Sequence, residues 1–148
     1  MAKRHAALMP LTHDHHHALA QCRRLSKAVD SERSVRTEKA DGFLNFYLGR
    51  AIHHFREEEE LFFPPAAARP ETRDLVTRAV MEHLQIHGLV ADLKQQLAGG
   101  DVEPVLLQEI ADTLRAHVRF EENELFPLME RVVSSEDLDE RATHRRDV

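Results

Sequence analysis

The chain has one cysteine, Cys22, no tryptophan and a single tyrosine, Tyr47. A lone cysteine forms no internal disulfide, which fits a reducing compartment, so a cytoplasmic protein is expected. Aromatic residues make up only 5%, and there are 5 glycines in 148 residues, a balance that favours helices over strands. No apolar run approaches the ~20 residues of a membrane span. The opening Met1-Ala2-Lys3-Arg4-His5 lacks the apolar stretch of a signal peptide. Positive charge is in deficit, with 20 Lys and Arg against 26 Asp and Glu and a net charge of −6. Nucleic acid and membrane are therefore not expected as partners. The length suits one domain with a real core.

Histidine is what the sequence has in excess. It occurs 11 times, about three times ordinary usage for a domain of this size. A second feature goes with it. The run His54-Phe55-Arg56-Glu57-Glu58, which leads into Leu61-Phe62-Phe63-Pro64, recurs as His117-Val118-Arg119-Phe120-Glu121, which leads into Leu125-Phe126-Pro127. In each copy a histidine precedes a glutamate by four positions. On a helix that is about one turn, a rise of roughly 6 Å, so both side chains point to the same side and can hold one ion.

Punctuation predicts four helices. The first runs from a Thr12 N-cap to about Val29, followed by a polar loop over 31–37. The second covers 38–62 and is expected to end at Pro64-Pro65, because proline lacks an N–H and clashes with the preceding turn. The third starts at Pro70 and stops at Gly99-Gly100; the fourth starts near Pro104 and ends near Val133. The fold expected is all-α, an up-down-up-down four-helix bundle over residues 1–133 with a short charged C-terminal tail over 134–148.

At ~100° per residue each helix shows an apolar stripe, and histidines fall within it. His15 lies among Leu11, Ala18, Leu19 and Cys22, with His16 a quarter turn away. His54 and Glu58 lie between Tyr47 and Leu61. His83 and His87 share the stripe of Val76, Ala79, Ile86 and Val90. His117 and Glu121 lie among Leu114, Leu125 and Leu128, with Glu122 about 100° off. Seven polar groups in an apolar seam would be strongly destabilising if unpaired, and a metal centre satisfies all of them together. Glu57, Glu59 and Glu60 read as a solvated face. Tyr47 reads equally as core or as a hydroxyl that hydrogen-bonds a metal ligand.

These motifs resemble the hemerythrin-like family, the HHE cation-binding domain, over about residues 10–132. The resemblance rests on His15 or His16, on His54 with Glu58, on His83 with His87, and on His117 with Glu121 or Glu122. It implies a non-haem di-iron centre with a bridging oxo or hydroxo group. His83, His87 and His117 would hold one iron, and His15 and His54 the other. Glu58 and the helix-four glutamate would bridge them. It also implies O₂, or a similar diatomic or peroxide, as the ligand. Nitrogen and carboxylate donors suit iron but also admit zinc or manganese.

Four functional classes follow: a module that binds or senses O₂ or a related oxidant, a di-iron oxidase, peroxidase or nitric oxide-handling enzyme, an iron store or regulator, and a structural zinc bundle, which seven ligands and one cysteine fit poorly. A sensor would act through a protein partner or a homo-oligomer. Paired Glu-x-x-His motifs of ferritin-like oxidases and a His-Glu-x-x-His protease motif are absent. No residue is assigned a catalytic role.

Overall fold

The computed structural model describes residues 3–148; Met1 and Ala2, part of the opening stretch read above for a signal peptide, lie outside the described residues. Those residues form helices and no strands. Helix α1 is Met9–Ala28. Helix α2 is one run over 33–67, α-helical at Arg33–Phe46, Ile52–Glu57 and Phe63–Ala67, with wider π turns at Tyr47–Ala51 and Glu58–Phe62. Helix α3 is Pro70–Ala98, regular throughout. Helix α4 covers 104–132, with a π turn at Glu121–Leu125. Helix α5 is Ser135–Ala142. Helix α1 packs on α4 and α2, and α3 packs on α4 and α2. Among the described residues no helix is long and apolar enough to cross a membrane.

Four expectations are corrected. Helix α1 begins at Met9, one turn before Thr12, with Pro10 in its first turn, where a missing N–H costs nothing. Helix α2 begins at Arg33, so most of the polar stretch 31–37 is helical. Its arginines find partners that composition does not reveal: Arg33 donates to the Gly100 carbonyl, and Arg36 to the carbonyls of Ser31 and Val102.

The third correction concerns Pro64-Pro65, which does not end α2. The π turn just before it has already shifted the backbone register, since Phe63 N–H reaches Glu58 O, five residues back. The Leu61 carbonyl, which would ordinarily accept from residue 65, accepts instead from Arg141 at 3.0 Å. The arrangement recurs in α4. Phe126 N–H reaches Glu121 O, and the Glu122 carbonyl, one place on and five before Pro127, accepts from Arg4 at 2.7 Å.

The fourth concerns Glu57, which the tail residues cover. Ser134 caps α5 by accepting from Asp137 N–H, Leu138 is fully buried, and Arg145 clasps Glu57 at 2.6 and 3.1 Å. Glu57 is therefore only 2% exposed, not part of a solvated face. Two apolar clusters fill the interior. One holds Cys22, Phe43, Phe55, Leu93 and Ile110, the other Leu11, Phe62, Phe63, Phe126 and Leu138. The buried histidines and glutamates lie along the seam between them.

Candidate metal centre

Helices α2 and α4 each place a glutamate at the first position of a π turn: Glu58 and Glu121. Both are fully buried. Around them stand His15, His54, His83 and His117, each 1–5% exposed. Glu58 Oε1 lies 3.3 Å from His54 Nε2 and 3.2 Å from His83 Nε2. Glu121 Oε1 lies 3.1 Å from His15 Nε2 and 3.1 Å from His117 Nε2. The ligand atoms sort into two groups that share both glutamates: His15, His54, Glu58 and Glu121, and Glu58, His83, His117 and Glu121.

Every histidine of the set turns its other ring nitrogen to a carboxylate. Nδ1 of His15 lies 2.7 Å from Glu122, that of His54 3.0 Å from Asp14, that of His83 2.9 Å from Glu59, and that of His117 2.8 Å from Glu82. An ionised carboxylate only accepts, so each Nδ1 carries a proton and a neutral ring presents its Nε2 lone pair to the centre. These outer carboxylates follow a pattern. Asp14 and Glu82 directly precede His15 and His83, and each reaches the histidine of the following helix. Glu59 and Glu122 directly follow the central glutamates, and reach His83 and His15. The α1–α2 half and the α3–α4 half thus repeat one plan.

Without a cation this arrangement is frustrated. His54 Nε2, His83 Nε2, His117 Nε2, both oxygens of Glu58 and Oε2 of Glu121 are buried without a hydrogen-bond partner. Buried polar atoms left unpaired are costly and rare. Here they converge from three helices, α2, α3 and α4, onto the two groups, with His15 of α1 beside them. Protons are the alternative counter-charge. Burial pushes the His117 pKa down, but the charge and hydrogen bond of Glu121, with Glu82 behind, outweigh it and raise it to about 10. The same opposition leaves His54 well above its ordinary range, through Glu58 and Asp14. Burial pushes the Glu121 carboxyl up, and His117 and His15 hold it well below the carboxylate range. The residues therefore fit divalent cations with nitrogen and oxygen donors.

The structure brings six of the seven expected ligands together: His15, His54, Glu58, His83, His117 and Glu121. His16 is exposed, and Glu122 holds His15 rather than facing the centre. His87 stays outside both groups. It is half-buried, and its Nδ1 lies 2.5 Å from the Tyr47 hydroxyl. The Phe55 ring, stacked on His83 at 4.1 Å, meets His87 edge-on at 5.6 Å. Four residues of regular α-helix leave His87 rotated about 40° from His83, and α3 has no π turn to offset that. Sequence reading missed the outer carboxylates. The Asp14-His15 and Glu82-His83 dipeptides and the Glu58-Glu59 and Glu121-Glu122 pairs were the available signal.

Aromatic rings close the centre. Phe126 lies flat on His15 and Phe63 on His83, with interplanar angles of 14° and 20°. Beside His15, His54 and His117 opens a small cavity with room for about one water-sized molecule, walled chiefly by apolar side chains such as Ala18, Phe46 and Leu114, with Asp14 and Arg50 also in its wall.

Comparison with known protein families matched the chain to the hemerythrin HHE cation-binding domain model over residues 9–129. Comparison with curated proteins and with solved structures gave no match.

Proposed function

The chain belongs to the hemerythrin HHE cation-binding domain family, and we propose that it is a non-haem di-iron protein that binds or senses O₂ or a related small oxidant. The observation that carries this reading is the pair of ligand groups sharing Glu58 and Glu121. His15 and His54 would hold one iron and His83 and His117 the other, with both glutamates spanning the two. On this reading α1 to α4 act as an up-down-up-down bundle. Bound iron would supply the electrons for reversible oxidant binding.

The rest is done by the chain itself. The four outer carboxylates fix each imidazole's tautomer and tilt. Phe126 covers a ring face of His15, and Phe55 and Phe63 stack on His83. Each group offers two histidines and the two shared glutamates, so the unequal three-plus-two histidine division implied by the resemblance has no counterpart in the side chains brought together. The mostly apolar cavity beside His15, His54 and His117 suits a small uncharged ligand. An oxidase, a peroxidase, a nitric oxide-handling enzyme or an iron store is the second reading. The charged Asp14 and Arg50 in the same wall favour it, because they would draw water to the cavity and let a bound oxidant react onward.

Anaerobic reconstitution with ferrous iron tests the proposal. Two irons per chain are expected, followed by a visible absorption band on mixing with O₂ in stopped flow. Recovery of the ferrous spectrum on degassing identifies a carrier or sensor, and irreversible oxidation identifies an enzyme or store. A stoichiometry of one, or a strong preference for zinc, overturns the di-iron assignment.

A further inference from the structure

Two of the three π turns place the central glutamates; the third, Tyr47–Ala51, carries no ligand of the centre. Its Gly49 and Arg50 instead form one side of a separate groove between α1 and α2, open to solvent. π turns recur at functional sites, since the wider turn exposes backbone and re-aims side chains.

Hydrogen-bond donors line the groove. Arg24 and Arg50 are cations, His17 is cationisable, Gln21 and Asn45 add amide N–H groups, and Phe46 supplies an apolar face. No carboxylate is among the described lining residues, in a chain whose net charge is −6. Arg24 has no ion-pair or hydrogen-bond partner among the described residues, and Arg50 has only a loose contact of 3.8 Å with Asp14. An acid-free ring of donors around an aromatic face selects for negative charge next to a flat apolar body.

The glycines support the same reading. Gly42 and Gly49 lie two turns apart in α2, and each costs about 1 kcal/mol relative to alanine in a helix interior. Packing does not demand them, because a Cβ built on either meets nothing within 4 Å. Their effect is to keep the groove floor open to close approach.

We propose that the α1–α2 groove is a binding site for a small organic anion, its carboxylate or phosphate held by Arg24 and Arg50 and its planar portion lying on Phe46. The groove contains none of the ligands of the metal centre, so this site stands or falls independently of the di-iron reading. It adjoins the centre all the same: Phe46 and Arg50 line both this groove and the inner cavity, and Arg50's contact, Asp14, holds His54.

Calorimetric titration of the intact protein as purified provides the test, with benzoate, benzamide and inorganic phosphate as probes. Benzoate is expected to bind one per chain, with neutral benzamide and phosphate each about tenfold weaker or more. Arg24→Ala should weaken benzoate about tenfold, and Gly42→Leu, whose Cβ meets nothing within 4 Å, should fill the floor and abolish binding while the fold holds. Arg131→Ala, at an exposed position away from the groove, should change nothing. Equal binding of benzoate and benzamide, tighter binding of phosphate than of benzoate, or undiminished benzoate binding in Arg24→Ala and Gly42→Leu would each overturn the site. The last outcome would send the carboxylate to the metal centre instead.

Discussion

Nδ1 of His83 lies 2.9 Å from Glu59, a residue on the neighbouring helix whose own side chain is 39% exposed. The centre is thus reached from solvent through one layer of carboxylates, and that layer is open to mutation without touching a central ligand. Replacing Glu59 or Glu82 by alanine frees one imidazole to tilt. Metal affinity should fall about 10–100-fold while stoichiometry stays the same. Competition against a chelator of known affinity measures it; an unchanged affinity in both variants would remove the orienting role.

The two glutamates of each repeat should separate cleanly. Glu121→Ala and Glu58→Ala remove groups that belong to both ligand sets, and are expected to lower metal content below two ions per chain. Glu122→Ala should keep two ions, bound more weakly, because Glu122 acts through His15. His87→Ala should keep both ions as well, because Tyr47 holds that ring outside the clusters. Elemental analysis of the four purified variants decides; loss of one ion from His87→Ala alone would restore it as a ligand.

The metal-free protein should weaken with rising pH. His117 titrates near 10 in the fold against 6.5 ordinarily, so its contribution is full below 6.5 and is lost as the pH climbs through about 10. Glu121 runs the other way: its depressed carboxyl stabilises above 4.5 and stops doing so as the pH falls through its folded-state value. Stability without metal should peak at about pH 5–6. Metal uptake displaces protons, so it should strengthen as the pH rises. Melting curves from pH 5 to 9, with and without chelator, should diverge towards alkaline pH. Parallel curves would mean that the histidines do not compete for protons and metal.

Helix α5 should contribute measurably to stability. Leu138→Ala empties a fully buried site and is expected to cost about 2–5 kcal/mol. Arg145→Ala leaves Glu57 with only His53, at 2.8 Å, and is expected to cost about 1–3 kcal/mol. Urea unfolding of both variants gives the values. Changes within error would mean that α5 rests on the surface without holding it.

Much of this was legible because helical phase is rigid. His15, His54, His83 and His117 each fall on an apolar stripe, and a stripe has only one way to face. Phase also chose Glu121 over Glu122, the arrangement found. It misled where a helix departs from regularity or where partners come from afar. The prolines after Phe63 looked like a stop because the π turn that accommodates them leaves no mark in composition. His87 looked like a partner of His83, although its counterpart in the first half, four residues after His15, is Leu19. Glu57 looked solvated because Arg145 approaches it from far along the chain; Glu59 is exposed as expected, and what phase did not show is that it also reaches His83. The polar run at 31–37 looked like a loop because the carbonyls that anchor Arg33 and Arg36 include those of Gly100 and Val102, more than sixty residues away.

Arg4 and Arg145 meet the centre from opposite ends of the sequence, one on Glu122 and one on Glu57. Each guanidinium covers a carboxylate that directly follows or precedes a central glutamate. The lifetime of a bound ion is therefore expected to follow the opening of these two ion pairs, not global unfolding, and Arg4→Ala or Arg145→Ala should register as faster ion loss before it registers as a lower melting temperature.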